Sequence, residues 1–82
     1  MNLHKIKIWR GEFSQVETGY KTAEFRKNDR DYRSGDLLLL QEYVPSEDRF
    51  TRDEVLVRVT HINYGPDFGI PNGYCMMSIK KI

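Results

Sequence analysis

Apolar residues alternate with polar ones over much of this chain, and a spacing of two predicts strands. Leu3 to Ile8 reads as a short strand with Ile6 and Ile8 inward. The period then lengthens. Trp9, Phe13, Val16 and Tyr20 fall on one helical stripe, which predicts a helix from about Arg10 to Thr18. Gly19 stands where a helix ends in a left-handed residue. Lys21 to Arg26 is extended, with Ala23 and Phe25 on one face and Thr22, Glu24 and Arg26 on the other.

Residues 27–36 form a polar loop closed by the turn Ser34-Gly35-Asp36. Leu37 to Tyr43 begins with four leucines, so it predicts a strand covered on both faces. Pro45 to Asp53 reads as an exposed connection. Glu54 to Tyr64 sets Val55, Val57 and Val59 against Leu56, Arg58 and Thr60, the pattern of a long strand. A rigid loop from Gly65 to Gly73 closes on Pro71-Asn72-Gly73, and Tyr74 to Ile82 is the last strand. These elements predict a mainly β fold with one short helix: a small, partly closed β-barrel of about five strands, because closure limits exposed edges.

The 82 residues allow one domain spanning 1–82, with a radius of gyration near 12 Å and a site no deeper than a surface cleft. The longest apolar run is Leu37 to Leu40, far short of the roughly 20 residues that cross a bilayer, so no membrane partner is expected. Met1 to Lys5 lacks the apolar stretch and cleavage site of a signal peptide. A single cysteine forms no internal disulfide, which fits a reducing cytoplasm. His4, His61 and Cys75 show no zinc spacing, and no metal or cofactor is expected.

Net charge is only +1, but it is unevenly distributed. Residues 19–35 carry five basic and three acidic side chains, whereas residues 36–54 carry two and six. The average therefore excludes indiscriminate charge-driven binding of nucleic acid, not an anion-attracting face.

Gly19-Tyr20-Lys21-Thr22-Ala23-Glu24-Phe25-Arg26 resembles the G-x-K-x-x-E-x-R signature of ASCH domains (activating signal cointegrator homology) of the PUA-like superfamily of small β-barrels. Arg26-Lys27-Asn28-Asp29-Arg30-Asp31, the pair Gly35-Asp36, the opening His4 to Ile8 and the ending Gly73 to Ile79 are similar to a subfamily of stand-alone bacterial and phage ASCH-like proteins. The likeness covers nearly the whole chain. It implies a PUA-like barrel with a cleft beside the helix-to-strand junction, lined by Lys21, Glu24 and Arg26. It also implies RNA or a nucleotide-like small molecule as ligand.

Glu24 and Arg26 are two apart on a strand and share a face. Arginine offers a planar fork for phosphate or a base edge, lysine a point charge, and a carboxylate between them can orient the arginine or accept from an amine. The competing reading is a structural ion pair. Lys27, Arg30, Tyr32 and Arg33 add a basic loop with one aromatic, a mixture suited to phosphates and unpaired bases. A solvated turn, with Asn28, Asp29 and Asp31 bonding their own backbone, explains the same residues.

The resemblance also implies an alternative, since some small ASCH proteins are amidohydrolases acting on acyl-modified cytidine nucleosides through a lysine, a threonine nucleophile and a glutamate. Lys21 matches the lysine, but Glu24 stands at the threonine's place, and Thr22 points to the opposite face. Catalysis here would rest on Lys21 and Glu24, with the carboxylate activating water. His4 and His61 are expected as hydrogen-bonded structural histidines, Cys75 as a small buried hydrophobe, and Trp9, Phe13 and Val16 as core. A protein-interaction module using an open barrel edge is the third reading, with a protein partner.

Overall fold

Ile6 and Ile8 are buried while the alternating Lys5 and Lys7 are exposed, so strict alternation seats the first strand, β1 (Leu3–Trp9), on the core. The computed structural model describes residues 1–82. After β1 come a helix, α1 (Arg10–Glu17), and four more strands: β2 (Ala23–Lys27), β3 (Leu37–Val44), β4 (Arg49–Tyr64) and β5 (Tyr74–Lys81). They form one sheet in the order β1-β3-β4-β5-β2. β1 runs parallel to β3, and every other pairing is antiparallel. Strands hold 54% of the chain, and the sheet curls into a half-barrel, as the alternation predicts. The radius of gyration is 12.5 Å.

The curl encloses Ile6, Ile8, Leu38, Leu40, Val55, Val57, Val59, Ile62, Cys75, Met77 and Ile79, with Phe13 and Val16 of α1 added from one side. Gly19 at φ 83° turns the chain out of the helix, and Lys21 donates its backbone N–H back to Gln15 at 2.9 Å. β1 and β2 are the two edges of the sheet and share no ladder. Two guanidinium groups span the gap instead: Arg26 Nη2 donates to the Lys7 carbonyl at 2.6 Å, and Arg30 Nη1 to the Lys5 carbonyl at 3.1 Å.

Several expectations need correction. The helix stops at Glu17, so only Phe13 and Val16 of the predicted stripe are buried, and Trp9 and Tyr20 are exposed. β3 is fully buried on one face only: Leu38, Leu40, Glu42 and Val44 point to the core, whereas Leu37, Leu39, Gln41 and Tyr43 are half-buried. The connection after Pro45 is short, because β4 already starts at Arg49 and pairs Phe50 with Tyr43. Its first part is irregular, with a register shift opposite Gln41–Tyr43 and Arg52 at φ 79°. A second shift between Val59 and His61 moves the inward phase of β4 from odd to even residues, burying Ile62. His61 is left exposed beside that bulge instead of being held as a structural histidine.

His4 is the hydrogen-bonded structural histidine that was expected. Its Nε2 donates to Asp36 Oδ2 at 2.8 Å, and its ring meets Tyr32 edge-on. Asp36 is buried and also accepts from the backbone N–H groups of Asn2 and Arg33. Burial opposes its charge, but these donors outweigh burial and hold its carboxyl below the ordinary aspartate value.

Candidate functional site

Where β1 and β2 fail to pair, the sheet leaves a cleft of about 400 Å³ beside the junction of α1 and β2. Lys21, Glu24 and Arg26 all line it. Glu24 is 3% exposed on the inward face of β2, an expensive position for an unpaired carboxylate. It is doubly paired. Lys21 Nζ lies 3.0 Å from Oε1, and Arg26 Nε donates to Oε2 at 2.6 Å. Lys21 also lies 3.6 Å from Glu12 on α1. Both cations keep about a quarter of their side-chain surface open, so the buried carboxylate fixes two partly exposed positive groups at the floor of the cleft. The structural ion pair and the cleft lining are thus one arrangement.

The cleft walls are residues that the sequence reading assigned elsewhere. Trp9, expected in the core, is 62% exposed and lines the opening, as do Lys7 and Phe25, the latter 47% exposed. The signal was present in β1: after Ile6 and Ile8, alternation turns residue 9 outward. Counting Trp9 as the first member of a helical stripe overrode it. Lys7 Nζ sits 4.1 Å from the centre of the Tyr43 ring, a cation–π contact at the rim.

A second, smaller depression of about 320 Å³ continues along the same gap, bounded by Lys27, Asp29 and Arg30. Lys7 and Arg26 border both hollows, so the Arg26–Lys7 bond divides them. Of the remaining predicted loop residues, Lys27 and Arg30 are exposed here. Tyr32 is not available as a stacking surface: its ring is 1% exposed, within the core. Its backbone N–H donates to Asn28 Oδ1 at 3.0 Å, and its carbonyl accepts from Tyr64 Oη at 2.7 Å, so the loop folds inward to plug the barrel. Burial pushes the phenols of Tyr32 and Tyr64 up. Arg33 lines neither hollow and pairs with Asp31 at 3.1 Å.

Cys75 is fully buried, and burial pushes its thiol up, away from nucleophilic use. No group of three His, Cys, Asp or Glu side chains is arranged to hold a metal, and no helix is long and apolar enough to cross a membrane. Chemically, the cleft presents fixed cations between exposed aromatic faces.

Two comparisons bear on this arrangement. The profile of a domain of unknown function (DUF3850) matches residues 3–79. The chain is also similar to the "Uncharacterized 12.9 kDa protein in GpA 3'region" of Escherichia phage P2, 42% identical over 60 residues. That match takes in 73% of this chain and 53% of the phage protein, so the chain spans about half of its relative's length.

Proposed function

The chain belongs to the DUF3850 family of domains of unknown function, and on that premise we propose that the β1–β2 cleft binds RNA or a nucleotide-like ligand, in the manner the resemblance to PUA-like ASCH domains implies. The carrying observation is that exposed aromatics and fixed cations line one cleft, Trp9 and Phe25 beside Lys7, Lys21 and Arg26. Aromatic faces accept any base by stacking, and cations hold the phosphate beside it. In this reading Trp9 and Phe25 take the role that the sequence assigned to Tyr32. Glu24 is a positioning residue that aims Lys21 and Arg26.

A hydrolytic reading of the same cleft finds less support. Both Glu24 oxygens are engaged by cations, and Thr22 is not among the lining residues. A general base must reach the proton it takes, and Glu24 is buried beneath its two cations.

Titration with ribonucleoside monophosphates and short single-stranded RNA tests the proposal. Binding that weakens on the order of tenfold in Trp9→Ala supports it, since Trp9 is exposed and its removal leaves the core intact. The absence of binding by a folded protein at low salt overturns it. Incubation with acylated cytidine serves as the parallel test of hydrolysis.

A further inference from the structure

Phe25 leaves the cleft on its outer side, and there it does not stand alone. The Tyr74 ring of β5 stacks on it, with centroids 5.5 Å apart and planes only 11° from parallel. Both rings remain open to solvent, Tyr74 at 37%. Tyr74 is the register partner of Lys27, which is exposed and joins no ion pair. Outward-facing Phe25 and Tyr74 do little for the core. Stacked in parallel, the rings cover each other's inner faces and leave an outer ring face open, continuous with the cleft and flanked by an unpaired cation.

We infer that this outer β2–β5 face carries the next nucleotide of a single strand whose first base occupies the cleft, making the ligand an oligonucleotide and not a free nucleotide. The inference rests on the reading of the cleft as a nucleotide site. A base stacks on the Phe25–Tyr74 pair, and Lys27 holds the adjoining phosphate. Ring geometry selects this direction along the surface. On the opposite rim Tyr43 and Phe50 meet edge-on, Tyr43 is bonded to Asp48, and Lys7 already covers its ring, so no parallel aromatic pair is free there.

Affinity for uridine monophosphate and for single-stranded uridine tetranucleotide should be measured with the wild-type chain, Tyr74→Ala, Tyr74→Phe and Lys27→Ala. The tetranucleotide is expected to bind at least about tenfold more tightly than the monophosphate. Tyr74→Ala should remove most of that advantage with the monophosphate affinity unchanged, and Tyr74→Phe should retain it. Lys27→Ala, a surface change that reads the same contact if Tyr74→Ala fails to fold, should lower the tetranucleotide affinity alone. Equal affinities for the two ligands, or variants that weaken both ligands equally, overturn the inference and leave the cleft reading standing. Failure of both ligands to bind overturns the cleft reading and the inference with it.

Discussion

Asp36 concentrates more hydrogen bonding than any residue the sequence reading singled out: it accepts from His4, Asn2 and Arg33 while its own backbone joins Val59. A carboxylate held below its unfolded pKa contributes stability above that pKa and loses it as pH falls through the folded value. Replacing it with asparagine turns one acceptor into a donor facing donors. Asp36→Asn should therefore cost about 2–3 kcal/mol at pH 7 in urea unfolding, and the difference from wild type should shrink below about pH 4. A constant difference across pH would contradict this account. In the sequence, Asp36 shows only as a turn residue after Gly35. Its partners Asn2 and His4 lie more than 30 residues away, and local patterns do not reveal them. Glu24 and Arg26 were legible because a spacing of two on β2 puts them on one face, whereas Lys21, which precedes that strand, joins them only through what the family resemblance implies.

Elements whose faces differ in polarity were readable, and those defined by pairing alone were not. β1, the valine half of β4 and β5 announce themselves by alternation. Arg49 to Glu54 is nearly all exposed, so no hydrophobic period marks it. It is a strand only because β3 supplies a partner. The gap between β1 and β2 was equally hidden, since it depends on how far the sheet curls. There, Arg30 makes a single bond to the backbone of β1. Arg30→Ala is expected to speed amide exchange in β1 about two- to tenfold with the centre of β4 unchanged, as measured by hydrogen–deuterium exchange. Uniform acceleration through the whole sheet would show that the gap is not a separate opening unit.

For the molecule as a whole, the small net charge limits how the proposed RNA ligand would be held. Two or three phosphates can meet Lys7, Lys21 and Lys27, so the logarithm of affinity should fall against the logarithm of salt with a slope of about −1.5 to −2. A slope steeper than about −4 would mean diffuse attraction over the surface. The composition expresses this limit only as an average, because the acidic stretch after Glu42 conceals the basic side of the barrel. Arg26 gives the arrangement a mechanical meaning. Its Nε and Nη2 are spent on Glu24 and Lys7, but the rest of its donor fork faces the hollows on either side. An anion gripping those remaining donors would become a cross-tie between the sheet's two loose margins. The barrel is a clasp that Arg26 and Arg30 already fasten at two points, and an anion bound at Arg26 would tighten the first of them.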